Sequence, residues 1–155
     1  MLQRIQTLYL FIAWGLFASL FFVEMGTLYT GDGLLFSFNL KGFFEVHDGK
    51  REMVNHQWAI FIMSGFIHAL FAISIALFRR RVAQLRVCIY LIVFTLGIGG
   101  VSLYKLYMTG EAMQTEVVYH LTMWFPVLSS ILIWLAFRAI RKDELLVKAY
   151  ERLRS

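Results

Sequence analysis

Residues 58–78 read WAIFIMSGFIHALFAISIALF, and the only ionisable side chain among these 21 residues is that of His68. A helix needs about 20 predominantly apolar residues to cross the hydrocarbon core of a bilayer. A surface helix of a water-soluble protein would carry a polar stripe along one face, and this stretch has none. It therefore predicts a membrane-spanning helix.

Three further stretches have the same apolar character, and they occupy residues 5–23, 87–104 and 121–137. The whole chain of 155 residues is 59% hydrophobic and only 16% charged. Ordinary soluble domains are about half apolar and about one-quarter charged. We therefore expect an all-α membrane protein, a four-transmembrane-helix antiparallel bundle that forms a single integral membrane domain over residues 1–155.

The basic residues are divided unequally between the two sides of these spans. One side holds eleven Lys or Arg residues and three acidic residues, whereas the other side holds four Lys or Arg residues and seven acidic residues. The net charge of +5 is thus the sum of +8 on one side and −3 on the other. Because Lys and Arg favour cytoplasmic loops, we expect both termini to be cytoplasmic. Membrane lipids explain this positive charge, and we expect no nucleic-acid partner.

Residues 24–57 form the one long connection, and it lies on the outer side. Residues 34–40 alternate between apolar and polar side chains, a period typical of a strand. A second short apolar run at 42–46 leads to Asp48-Gly49, a dipeptide typical of hairpin turns. We predict a small β-like outer loop, the alternative being an ordered linker without strands.

Residues 138–154 follow the fourth span and contain no helix-breaking residue. Leu146, Tyr150 and Leu153 recur at a helical spacing and give this segment one apolar face among many basic residues. We predict a cytoplasmic amphipathic helix. It would either continue the fourth span into the cytoplasm or bend to lie on the membrane surface.

Three segments carry a family resemblance, namely residues 1–10 (MLQRIQTLYL), residues 81–88 (RVAQLRVC) and residues 138–154 with their RAIRKDELLV and RLR motifs. Together they resemble a family of short four-span membrane proteins of Gram-negative bacteria that is described as a domain of unknown function. Val82-Ala83 departs slightly from the inner-loop pattern of that family. The resemblance implies four helices in the bacterial inner membrane, and it implies no reaction, substrate or cofactor.

His68 is the candidate for a ligand site because it is the only ionisable group deep in a predicted span. A neutral imidazole is also a common packing group, and we favour this structural interpretation over a proton-relay role. Weak ligand candidates near it are Ser64 and the glycines Gly97, Gly99 and Gly100 of the third span.

Other chemical sites are disfavoured by residue type and spacing. Haem held by two histidines needs both at one depth, and His120 lies at the end of a span while His68 lies in the middle. Cys88 is the single cysteine, so there is no redox pair. The outer histidines lack metal-binding spacing. We therefore expect no cofactor, no metal site and no catalytic residues.

Two functional hypotheses remain. The first is an accessory or scaffolding subunit that docks on a larger membrane assembly, because the basic inner surface and the amphipathic tail offer contacts to a protein partner or to lipid headgroups. The alternative is a small transporter or a lipid- or quinone-binding protein with a site near His68. The predicted contact residues of the first hypothesis are Arg80, Arg81, Arg86, Arg141, Lys142, Leu146, Tyr150 and Leu153.

Overall fold

Four α-helices form most of the protein. The computed structural model describes residues 2–30, 35–47 and 50–154. Short 3-10 turns at Leu77–Arg79 and Leu121–Trp124 precede the third and fourth helices. The helices are α1 (Leu2–Ser19), α2 (Trp58–Ala76), α3 (Arg81–Met113) and α4 (Phe125–Arg154).

The α1–α2 connection and the α3–α4 connection lie at the end of the bundle opposite the Leu77–Arg79 turn. Together they form one antiparallel sheet. Its strand order is β4-β3-β2-β1-β5, so the last strand in the chain pairs with the first. Thr27 of β1 lies opposite Val118 of β5, 91 positions away in the sequence. The strands are β1 (Gly26–Tyr29), β2 (Leu35–Asn39), β3 (Gly42–His47), β4 (Lys50–His56) and β5 (Glu116–Tyr119).

The prediction of an all-α four-helix bundle is therefore wrong. The strand pair that alternation predicts is present as β2 and β3, but it is the centre of a five-stranded sheet. The other strands give no alternation because β1 and β5 have four residues each and β4 is exposed along its whole length. Strand β5 forms because the distant β1 supplies its backbone partner, whereas β4 is held by pairing with the adjacent β3. The Asp48-Gly49 turn lies outside the described residues.

The sheet packs on the ends of the helices through a buried apolar layer. Met25, Leu28 and Phe38 have no exposed surface and belong to the same hydrophobic core as Leu106 of α3. The backbone joins the two parts as well, since Leu40 N–H donates to the carbonyl of Leu20 at 3.4 Å. The sheet is therefore a fixed part of the bundle rather than a separate module.

Gly42 begins β3 in a backbone conformation that side chains disfavour, with φ of 147°. The turn before it is held by the Asn39 side chain, whose Oδ1 accepts a hydrogen bond from Lys41 N–H at 2.8 Å. A Cβ atom at position 42 would collide with the backbone carbonyl oxygen of Asn55 in β4. Glycine is therefore required here both for its φ angle and for the close approach of β4.

The helices pack in the sequence α1–α4–α3–α2, with a smaller contact between α1 and α2. Their buried faces carry several small or polar side chains, including Ser64, Ser74, Gln84 and Thr95. Their outer faces carry large apolar side chains. Large apolar residues such as Phe17, Phe71 and Leu91 are buried between the helices as well. Helices that are apolar on both their inner and their outer faces are typical of an apolar surrounding solvent.

Three helical stretches are long and apolar enough to cross a membrane, namely Trp58–Arg79, Arg81–Met113 and Leu121–Val147. The fourth apolar helix, Ile5–Ser19, is shorter than the predicted span at 5–23 because α1 ends at Ser19. Helix α3 is much longer than predicted, since it continues through the polar residues after Tyr104 to Met113.

Helix α4 settles how the C-terminal segment is arranged. It runs without a break from Phe125 to Arg154 and, with 30 residues, is about 45 Å long. The segment 138–154, predicted as a cytoplasmic helix, is thus the continuation of the apolar helix that begins at Phe125. Pro126 lies in the first turn of α4, where a missing N–H costs little, and the structure does not place it at a kink within the helix.

Candidate functional site

His68 lies on the side of α2 that faces α1. Its Nδ1 is 2.8 Å from the carbonyl oxygen of Ser64, one turn earlier. A carbonyl oxygen only accepts, so Nδ1 carries a proton and donates this hydrogen bond. The Ser64 hydroxyl in turn donates to the carbonyl of Phe61 at 2.7 Å. The hydrogen bond of His68 is therefore local to its own helix rather than across helices.

Aromatic rings from α1 and the residues after it surround the His68 imidazole. Its ring centroid lies 5.3 Å from that of Phe17 and 5.2 Å from that of Phe21. The indole ring of Trp14 is also near, at 6.5 Å with an edge-on orientation. These contacts make His68 part of the α1–α2 packing.

The third-span glycines lie in a different part of the bundle. A Cβ at Gly99 would lie 3.0 Å from the ring of Pro126, whereas Gly97 and Gly100 face open space. Gly99 and Gly100 line an apolar groove of about 180 Å³ between α3 and the start of α4. His68 hydrogen-bonds to Ser64 and contacts aromatic rings of α1 and Phe21, whereas Gly99 lies against Pro126 of α4. The structure therefore keeps Ser64 beside His68 but does not bring the glycines to it.

The packing role of His68 gives a testable expectation. Replacing His68 with leucine removes one hydrogen bond and puts an apolar side chain of similar size in its place. We therefore expect the free energy of unfolding to fall by only about 1 kcal/mol. Thermal unfolding of the purified variant in detergent measures this change. If the variant kept its stability but no longer supported the function of the protein in cells, a purely structural role would be contradicted. That outcome would favour the ligand-binding alternative.

The predicted arginine contact residues lie closer together than the ligand candidates around His68. Arg80, Arg81 and Arg86 line one groove of about 680 Å³ between the α2–α3 turn and α4. We call this cavity the basic groove. Neither Arg141 nor Lys142 lines it, and both are exposed on α4. The full lining is Phe78, Arg79, Arg80, Arg81, Val82, Ala83, Arg86, Glu144 and Val147.

The apolar tail candidates all lie on α4. Leu146 is exposed, with 43% of its surface accessible. Tyr150 and Leu153 lie within the same helix, but their side chains are outside the described part of the structure. The sequence did not single out Arg79, Phe78 or Val147 as site residues, although Arg79 belongs to the same basic run as Arg80 and Arg81.

One arginine of the basic groove forms an ion pair with α4. Arg81, the first residue of α3, places a guanidinium nitrogen 3.1 Å from Oδ2 of Asp143 on α4. Both side chains are largely buried, with 22% and 13% of their surfaces exposed. The contact joins the inner-loop motif to the C-terminal motif, and it fixes the beginning of α3 against α4.

The two side chains of this ion pair should be coupled to each other more strongly than those of an exposed ion pair. In a double-mutant cycle with Arg81→Gln and Asp143→Asn, we expect a coupling energy of about 1–2 kcal/mol in thermal or chemical unfolding. The matched control is Arg51–Glu24, which is shorter at 2.7 Å but has an arginine that is 57% exposed. We expect about 0.5 kcal/mol or less for that pair. Equal couplings would show that burial does not strengthen the Arg81–Asp143 contact.

A second cavity lies at the opposite end of the protein, between the sheet and α3. It has a volume of about 260 Å³ and is partly enclosed. Phe36 and Phe43 supply apolar surface, while Lys105 supplies the one charged group among its lining residues. Its walls come from β2, β3, β4 and α3, so no local sequence motif identifies it.

Comparison with protein-family models finds one family, described as "Domain of unknown function (DUF4293)", whose model matches residues 2–153. The match includes the inner-loop and C-terminal motifs that Arg81 and Asp143 join. No curated protein matches the chain. The matched description gives no reaction, ligand or partner, so the function has to be inferred from the geometry.

Proposed function

We propose a function for this chain, which belongs to the DUF4293 family of unknown function, from its surfaces and its packing. It is an integral membrane protein with one domain, located in the bacterial inner membrane with both termini in the cytoplasm. It acts there as an accessory or scaffolding subunit of a larger membrane assembly. The observation that carries this proposal is that side chains fill the bundle interior. The surfaces that a partner could contact therefore lie at the two ends of the protein.

The membrane assignment rests on the apolar outer faces of the helices. Phe66, Val93 and Ile131 are each at least half exposed, and each lies well inside an apolar helix. Soluble monomers rarely expose continuous apolar surface of this extent. The basic Arg79–Arg81 run lies at the end opposite the sheet, which supports a cytoplasmic position for that end.

The bundle interior favours a structural role over transport. Phe17, Ile67, Phe71, Leu91 and Ile98 lie between the helices and have no exposed surface. Large side chains at these positions fill the space that a transport pathway would need. The features open to a partner therefore lie at the ends: the exposed Leu146 region of α4, the basic groove and the sheet.

Purification in mild detergent or native nanodiscs tests the proposal. We expect the wild-type chain to migrate as a complex with a stoichiometric partner, identified by cross-linking and mass spectrometry. Leu146→Glu should release that partner, since it places a charge on the exposed apolar face of α4. The comparison variant Val54→Glu changes an exposed apolar residue on β4, at the sheet end of the protein, and should leave a partner on α4 bound. Release by Val54→Glu alone would place the partner on the sheet instead.

A wild-type chain that stays a monodisperse monomer in every mild condition would overturn the scaffold role. If the chain were recovered in the soluble fraction without detergent, the membrane assignment itself would fail.

A further inference from the structure

We propose that the basic groove is a binding site for one anionic phospholipid, held with its phosphate among the arginines and its acyl chains along the adjacent apolar side chains. The inference rests on the proposed function only for the membrane location, and it does not depend on the protein partner. The inference assigns a ligand class and a binding site to a basic surface that would otherwise attract anions only diffusely.

The charge of the groove favours an anion. Four guanidinium groups line it, from Arg79, Arg80, Arg81 and Arg86, together with the carboxylate of Glu144. Asp143 adds a second carboxylate through its ion pair with Arg81. Four positive against two negative groups leave a net charge of +2 within one cavity.

A phosphodiester matches these donors. Guanidinium groups bind phosphate oxygens through two parallel hydrogen bonds, and Arg is preferred over Lys where such geometry matters. A lipid with an uncharged headgroup brings one negative charge on its phosphate. A zwitterionic lipid brings its own ammonium group, which the neighbouring guanidinium groups would repel. The groove should therefore prefer anionic to zwitterionic phospholipids.

The apolar part of the lining distinguishes a lipid from a free phosphate. Phe78 and Val82 are each about half exposed, and Val147 is more than one-third exposed. The Arg79 guanidinium lies over the Phe78 ring, 5.5 Å from its centroid, so cationic and apolar surfaces are adjacent. Inorganic phosphate would leave these apolar side chains bare, whereas acyl chains would cover them.

The position of the groove also suits a lipid. It lies where the apolar stretch of α2 ends, in the turn Leu77–Arg79 and at the first residues of α3. Lipid headgroups occupy this level in a bilayer. Helix α4 forms the opposite wall through Glu144 and Val147, and the Arg81–Asp143 ion pair fixes its distance. The lipid would therefore bridge the α2–α3 turn and α4.

Native mass spectrometry of the delipidated chain tests this proposal by titration with phosphatidylglycerol and phosphatidylcholine of identical acyl chains. The wild type should bind one phosphatidylglycerol at least about tenfold more tightly than phosphatidylcholine. The triple variant R79Q/R80Q/R86Q should lose this preference; Arg81 is kept because of its ion pair with Asp143. The matched control R138Q/R141Q/K142Q removes the same charge from α4 outside the groove and should keep the preference within about twofold.

Equal losses in the two triple variants would overturn the site, because they would show only diffuse attraction to the basic surface. Full displacement of the lipid by millimolar inorganic phosphate would show a free-phosphate site instead. If the groove variant fails to fold by circular dichroism, R79K/R80K/R86K keeps the charge and should still weaken binding severalfold by removing the two-pronged contacts. Unchanged lipid binding in that lysine variant would contradict the arginine geometry.

The outcomes separate this inference from the proposed function. A monomer that selects phosphatidylglycerol would leave the lipid site standing and remove the scaffold role. A partner complex without lipid preference would do the reverse.

Discussion

Replacing Phe38 with alanine is expected to lower the free energy of unfolding by about 3–5 kcal/mol. Phe38 has no exposed surface, and its ring centroid lies 4.7 Å from that of Phe43 in the next strand. Truncation leaves a cavity in the layer that joins the sheet to the helices, and neighbouring strands are too constrained to fill it. Chemical unfolding in detergent, followed by tryptophan fluorescence, measures the change.

The control for this prediction is Phe22→Ala. Phe22 is 75% exposed beside the same sheet, and its described contact is with the Lys41 ammonium group, 5.1 Å from the ring centroid. We expect a loss of about 0.5–1 kcal/mol for this change. Similar losses for the two phenylalanines would mean that the sheet does not share a core with the helices.

Replacing Gly42 with alanine should have the second large effect, a loss of about 3 kcal/mol or more. The φ of 147° disfavours any side chain, and the added Cβ would strike the carbonyl oxygen of Asn55. Because the obstacle is backbone, no side-chain rotation relieves it, and β4 must separate from β3. Thermal unfolding and hydrogen exchange of residues 50–56 would report both changes.

Gly97→Ala is the matched control. Gly97 lies within α3, and a Cβ there meets nothing within 4 Å. Alanine favours the helix by about 0.5–1 kcal/mol, so stability should stay equal or rise. If Gly42→Ala were tolerated as well as Gly97→Ala, β3 and β4 would not be paired as described.

The helices were predictable from composition, whereas most of the sheet was not. Long apolar stretches indicate helices without any tertiary information, and the alternation in residues 34–40 indicates β2. By contrast, β5 (Glu116–Tyr119) is a strand because β1 lies beside it, and nothing within its four residues indicates that partner. The extension of α3 through residues 105–113, beyond the predicted span at 87–104, was not predictable for a similar reason, since contacts with the sheet support it.

Only some residues of the candidate site were predictable, and its shape was not. A basic inner surface follows from counting arginines, and Arg80, Arg81 and Arg86 are indeed neighbours. Their common groove exists because α4 continues straight past the α2–α3 turn and presents Asp143, Glu144 and Val147 to it. The direction of a helix after its apolar part is a tertiary property, and the sequence left two directions open.

The pairing of β1 with β5 has a consequence for the order of synthesis. It joins the residues after α1 to those before α4, and α1 packs mainly on α4. Helix α1 is therefore synthesised well before α4, its main neighbour. A nascent chain that ends before Glu116 has an open sheet edge and an incompletely covered α1. The β1–β5 and α1–α4 contacts can thus form only after β5 and α4 have been synthesised.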